Sequence, residues 1–175
     1  MLFWNNINTT NNVKREDKNM SRRSITLGTW GGKPIEWLVL KEEGFTLVIS
    51  KDKIGSYCFG SSSWAHSSLR TYLNNDFYEN AFTAEEKKEI INAKLTDVGN
   101  AKDNVFLLSE NEVRTLLSKE NDDYTGRHSG DCECCCWTRT QDGNHVRNGY
   151  INCWCSHTAN YSHRIRPAMW IKEQE

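Results

Sequence analysis

Residues 24–27 (SITL) alternate polar and apolar side chains before Trp30-Gly31-Gly32-Lys33-Pro34, a pattern that predicts a strand running into a turn. Residues 35–40 (IEWLVL) and 45–50 (FTLVIS) are two β-rich runs separated by Lys41-Glu42-Glu43-Gly44, which predicts a hairpin. A Gly/Ser-rich connection follows over residues 54–63. The period then lengthens to that of a helix. Ser67 is placed to cap a helix over residues 68–74 (SLRTYLN). Thr83, with Glu86 three residues on, forms the capping-box signature of a second helix (TAEEKKEIINA). Its charged positions Glu85 and Glu89 set against apolar Ile91 mark a surface helix with one inward face. Residues 105–109 (VFLLS) read as a short buried strand, and Ser109 caps a third helix over residues 110–117. Beyond Asn121 no helical period remains. Brief apolar runs at Tyr150-Ile151 and Ala168-Met169-Trp170-Ile171 predict short strands between long loops. No repeat or linker interrupts this, so the expectation is a single α+β domain over residues 24–175 behind a disordered leader, residues 1–23.

Composition sharpens the contrast between the halves. Residues 121–170 contain no Lys, Leu or Phe and a single Glu (Glu133), yet hold six of the seven Cys and four of the five His. The preceding stretch, residues 79–120, is rich in Lys, Glu and Leu. Such an abrupt shift inside one domain suggests a surface selected for contact, carried on a scaffold selected for folding. The chain of 175 residues is long enough for a proper core. A formal net charge of -1 gives no electrostatic case for nucleic acid or an anionic membrane. No apolar window approaches the roughly 18 residues of a membrane span. The first residues lack the pattern of a secretory signal, so the expected location is the cytoplasm or a phage particle. An odd cysteine count implies no complete disulfide framework.

Several motifs taken in order resemble a bacterial and phage domain family of unknown function. They are Pro34-Ile35-Glu36-Trp37-Leu38-Val39-Leu40, Leu47-Val48-Ile49-Ser50-Lys51 and Trp64-Ala65-His66-Ser67-Ser68-Leu69-Arg70-Thr71-Tyr72-Leu73-Asn74. Asp76-Phe77-Tyr78-Glu79-Asn80-Ala81-Phe82, Glu85-Glu86-Lys87, Val105-Phe106-Leu107-Leu108-Ser109-Glu110, Trp137-Thr138-Arg139-Thr140 and Arg166-Pro167-Ala168-Met169-Trp170-Ile171 continue the series. The resemblance implies a C-type-lectin-like fold of the formylglycine-generating-enzyme type. It also implies use as the variable protein of a diversity-generating retroelement, in which template adenines are miscopied and chosen codons of a C-terminal cassette are randomised. This chain departs from the usual Trp-Trp-Leu-Arg-Ser with Cys135-Cys136-Trp137-Thr138-Arg139-Thr140.

Randomising both adenines of an AAC codon can produce Asn, Asp, His, Tyr, Ser, Thr, Cys, Gly, Arg, Ala, Pro, Val, Ile, Leu or Phe, but never Lys, Glu, Gln, Met or Trp. Between Thr140 and His163 only Gln141 and Trp154 break that rule. On this reading the cassette covers approximately residues 130–166, and its binding face comprises Cys132, Cys134, Cys135, Thr140, Asp142, Asn144, His145, Arg147, Asn148, Tyr150, Asn152, Cys153, Trp154, Cys155, Ser156, His157, Asn160, Tyr161, Ser162 and His163. Tyr150, Trp154 and Tyr161 would be rigid aromatic anchors, and the short polar residues adaptable partners, for an unidentified macromolecule, a protein. Trp137, Arg139, Val146, Gly149, Ile151 and Arg166-Pro167-Ala168 are expected as scaffold. No catalytic residue, metal or cofactor is expected. Two alternatives stand beside this. Cys132-x-Cys134-Cys135-Cys136 and Cys153-x-Cys155, with His128, His145, His157 or His163, could hold a structural zinc ion. A thiol enzyme related to the formylglycine-generating type would instead need one activated cysteine.

Overall fold

The computed structural model describes residues 22–117, 136–143, 145–150 and 153–173. Strands β1 (Ser24–Trp30), β2 (Lys33–Glu42) and β3 (Phe45–Ser50) form an antiparallel meander, with the expected hairpin between the second and third. Arg23 is already tied to it, its carbonyl accepting Val39 N–H at 2.9 Å. The register of β1 on β2 slips between Thr26 and Thr29, and Gly28 stands there with φ +74°. A Cβ on Gly28 would lie 2.7 Å from both the Ala81 carbonyl and the Phe82 ring, so only glycine lets this strand approach the helix layer.

The connection expected over residues 54–63 contains a strand, β4 (Gly55–Cys58). Its partner is more than a hundred residues away in sequence, and four residues are too few to show alternation. Next comes a helical run longer than expected: α1 (Ser68–Tyr72), a π-helical turn (Leu73–Phe77) and α2 (Tyr78–Ala81). Ser67 Oγ accepts from Leu69 N–H and Arg70 N–H as its cap. Leu69, Leu73, Phe77 and Ala81 are all buried at a strict spacing of four. Four residues overshoot an α-helical turn by about 40°. The wider π turn absorbs that drift and keeps the stripe on the core. Helix α3 (Ala84–Glu89) carries the complete Thr83/Glu86 capping box, and Glu86 also accepts Gly28 N–H at 2.8 Å.

Two short strands follow: β5 (Ile90–Ile91), then β6 (Ala93–Leu95), which pairs with β7 (Ala101–Asp103) around a 3-10 turn at Thr96–Val98. The strand expected at residues 105–109 is extended and buried but joins no ladder. Phe106 exchanges two hydrogen bonds with Ala168, and Leu108 O accepts Arg139 N–H. Helix α4 (Glu110–Leu116) has a complete capping box from Ser109 and Glu112. The C-terminal half holds β8 (Cys136–Asp142), β9 (His145–Tyr150), β10 (Cys153–His157), β11 (Ser162–Ile165) and β12 (Ala168–Lys172).

The strands make two five-stranded sheets, ordered β1-β2-β3-β12-β5 and β10-β9-β8-β11-β4. Within the second sheet, β11 runs parallel to β8 and antiparallel to β4. The long loops expected in this half are thus replaced, among the described residues, by a meander and a returning strand. Backbone pairing forms these strands although their side chains are poor in Val, Ile and Leu. One core joins both sheets and the helices around Trp37, Phe59, Trp64, Phe77, Phe106 and Trp137. Each buried indole finds an acceptor: Trp37 at Leu27 O and Trp64 at Asp103, whose other oxygen takes Arg70. Among the described residues no helix is long and apolar enough to cross a membrane. The molecule is a strand-rich α+β protein.

Candidate ligand-binding face

Strand β8 leaves the core as it proceeds. Cys136, Trp137, Thr138 and Arg139 are buried, Thr140 is half-buried, and Gln141 and Asp142 are exposed. Trp137 Nε1 donates to Tyr57 O at 2.8 Å, and its ring packs edge-on against Phe59 and His163. Arg139 is held from three sides. Nε donates to both Asp97 oxygens at 3.0 and 3.1 Å, Nη1 to Leu107 O at 2.7 Å, and Nη2 to Glu112 Oε1 at 2.9 Å. Burial works against its charge, but Glu112 and Asp97 outweigh that and hold the guanidinium above its ordinary pKa. Glu112 accepts Ser109 N–H through its other oxygen, so one carboxylate both closes the α4 cap and anchors β8. A cleft of about 970 Å³ opens beside this cluster, between the Thr96–Val98 turn and α4, with Lys94, Arg114 and Trp170 on its walls.

The other end of the sheet carries the chemistry of the cassette. Residues 158–161 turn from β10 into β11, closed by Tyr161 N–H on Thr158 O at 3.0 Å. Cys58 Sγ donates to Asn160 O at 3.1 Å, and Gly60 N–H donates to Ala159 O, so the neighbouring β4 region braces this turn. His157 Nδ1 lies 2.5 Å from His163 Nε2. Tyr161, among the most exposed large side chains at 59%, covers His157 with ring centroids 5.1 Å apart. Burial, with a smaller contribution from the charge of His157, pushes the His163 pKa down to about 4, so its imidazole is neutral at pH 7. Ser156 donates to Asp142 across the sheet.

The expected face is therefore partly assembled. Asp142, Ser156, His157, Asn160, Tyr161, Ser162 and His163 lie on this sheet or on its β10–β11 turn. Thr140 is engaged elsewhere: its hydroxyl accepts Glu110 N–H at 2.9 Å, which ties it to α4. For His145, Arg147, Asn148, Tyr150, Cys153, Trp154 and Cys155 the backbone is placed on β9 and β10, with Cys153 opposite Tyr150 and Cys155 opposite Asn148. Cys132, Cys134, Cys135, Asn144 and Asn152 lie outside the described residues, as do His128 and Ile151. Of the expected scaffold positions, Trp137, Arg139, Val146, Arg166 and Ala168 are buried.

Cys136 is buried, and burial raises its thiol pKa despite the partial pull of Arg166, Lys53 and Arg164. That is the reverse of an activated nucleophile. Among the described residues no group of three or more His, Cys, Asp or Glu is arranged to hold a metal ion. Sequence reasoning missed Asp97 and Glu112 as the partners of Arg139, and Cys58 and Tyr57 as neighbours of the cassette. Only the Ser109-x-x-Glu112 spacing signalled any of this, through its helix cap.

The chain matches, over residues 36–173, the family described as a domain of unknown function, DUF6273, and it belongs to that family. No curated protein matches the chain, and no solved structure does.

Proposed function

We propose that this protein is a ligand-binding display domain, the variable protein of a diversity-generating retroelement, built on a C-type-lectin-like fold of the formylglycine-generating-enzyme type. The observation that carries this reading is the contrast within the second sheet. Its inner positions Trp137, Arg139, Val146 and Ile165 are buried and pinned, while Asp142, Ser156, Asn160, Tyr161 and Ser162 are half-buried or exposed beyond them. A rigid base under a mixed aromatic and polar rim loses little entropy when it meets a partner, which is what a binding face requires. Tyr161 serves as an aromatic anchor, and Asp142, Ser156 and Asn160 supply hydrogen bonds to a protein surface. The adenine-codon composition of residues 140–163 explains why this rim mixes Cys, His, Asn and Tyr without a common physical role.

The test is to sequence the DNA surrounding the gene. The expected result is a near-copy of the codons for approximately residues 130–170, differing mainly at adenines, beside a reverse transcriptase gene. A locus with neither feature overturns the diversification reading.

A further inference from the structure

We propose that His157 and His163 form a two-imidazole chelating site for a divalent transition ion of the Zn²⁺, Ni²⁺ or Co²⁺ type. The inference goes beyond the display reading and stands whether or not the cassette codons are randomised.

The argument begins with the geometry of the pair. The ring centroids are 4.7 Å apart, the planes differ by 15°, and the facing nitrogens are 2.5 Å apart. A face-to-face stack keeps its atoms at about 3.5 Å or more. The three figures instead describe rings lying nearly edge to edge in a common plane, with Nδ1 of one aimed at Nε2 of the other. One of these nitrogens carries the shared proton and the other offers its lone pair. A tautomer shift that moves that proton to the far nitrogen of the same ring keeps both rings neutral and leaves both facing nitrogens with lone pairs for an ion.

The change asks for an adjustment of both rings. Zinc–imidazole bonds of about 2.0–2.1 Å at a tetrahedral angle set the two nitrogens about 3.3 Å apart, so the rings need to separate by roughly 0.8 Å and each to turn by roughly 35° so that both lone pairs converge on the ion. His163 is the fixed partner, held against the Trp137 edge at 4.5 Å between centroids and on a strand paired with β4. His157 is the partner with room, since its outer neighbour Tyr161 is mostly solvent-exposed. The closed turn between β10 and β11 fixes the two residues relative to each other before any ion arrives.

Two protein ligands leave the remaining coordination positions to water or to a donor from a partner. The ion would therefore be weakly held and exchangeable, and placed where it could bridge this face to a carboxylate or imidazole on another surface. Imidazole ligands favour zinc, nickel and copper over magnesium or calcium.

The test titrates the full chain, with its thiols kept reduced, with Zn²⁺ alone by calorimetry. The same titration is run on H157Q, which alters a half-buried ring and leaves the Trp137 contact of His163 in place. The expected result is a His157-dependent equivalent of zinc: in H157Q one equivalent is lost, or its affinity falls by about 10-fold or more. Zinc should also raise the thermal midpoint of the parent protein more than that of H157Q. Histidine ¹⁵N spectra should show the His157 and His163 ring nitrogens shifting with the ion. If H157Q takes up zinc in the same amount and with the same affinity as the parent, the proposal is overturned and any bound ion belongs to the cysteines. A parent chain that binds no zinc overturns it equally.

Discussion

The two five-stranded sheets share one core yet are buried in different ways. In the first, β3 is buried at every position from Thr46 to Ser50, and β12 follows it with Ala168, Met169 and Ile171. These strands lie in the middle of the molecule and have side chains that face other protein on both sides. In the second sheet burial is confined to the middle: β8 runs from buried Cys136 to exposed Asp142, and β11, parallel to it with Arg164 opposite Cys136, runs from exposed Ser162 to buried Ile165. The middle strands of the first sheet therefore constrain nearly every residue, although its outer strands β1 and β2 are mostly exposed or half-buried, whereas the second sheet is constrained only at its middle. A protein that must hold its fold while its outer chemistry changes needs that second arrangement.

The comparison is broken most severely at the buried middle of the second sheet. Trp137→Ala removes a buried indole, its bond to Tyr57 O and its contacts with Phe59 and His163. The expected loss is about 3–5 kcal/mol of unfolding free energy, measured by urea denaturation. A loss under about 1 kcal/mol would mean that this sheet does not depend on its base. Arg139→Met keeps the apolar stem and deletes the guanidinium, leaving Leu107 O and two carboxylates without their donor. Asp97 and Glu112 are partly exposed, so the cost falls toward the lower end of about 3–5 kcal/mol. Because Glu112 also closes the α4 cap, the helical circular dichroism should weaken in the same variant.

Acid should act at the boundary between the two regimes. Unfolded histidine titrates near about 6.5. Native His163 titrates at about 4, depressed by burial and by His157. Between these values the unfolded chain binds a proton that the native state refuses, so stability rises with pH. This contribution is complete above pH about 6.5 and is lost as pH falls through about 4. Urea midpoints should therefore drop across that window in the parent, and less steeply in H163Q. Parallel slopes would show that His163 is not responsible.

What could be read in the sequence follows the same division. The caps at Ser67, Thr83 and Ser109 and the hairpin of β2 and β3 were legible because their signals are local: a hydroxyl before a helical period, or two β-rich runs across a Gly-containing turn. Strand β4 was not legible, since four residues of a Gly/Ser-rich stretch become a strand only by pairing with β11. The apolar run Ala168-Met169-Trp170-Ile171 announced β12, but β8 to β11 were hidden for a related reason. Outer positions that need not be apolar erase the alternation by which a strand is recognised. The candidate face was visible as a composition and not as a geometry. His157 and His163 stood out as histidines, but their convergence depends on the β10–β11 turn. Asp97 and Glu112 gave no sign of meeting at Arg139, because an ion pair across 27 or 42 residues leaves no spacing rule.

Smaller changes sharpen the contrast at its two extremes. Ser109→Ala, in the scaffold, removes an N-cap whose Oγ accepts Glu112 N–H at 3.2 Å, and should cost about 1 kcal/mol. Tyr161→Ser, on the outer rim, deletes a far larger side chain, yet 59% of its surface is already in water. Its main contacts are to His157 and His163, which retain each other without it. The expected change in unfolding free energy is within about 0.5 kcal/mol, the range of ordinary surface substitutions. The smaller scaffold deletion should thus cost more than the larger rim deletion, an inversion that paired urea titrations can resolve. If Tyr161→Ser proves the more damaging, the rim is part of the folding core, and the separation of a fixed base from a replaceable surface fails at the residue where it should be clearest.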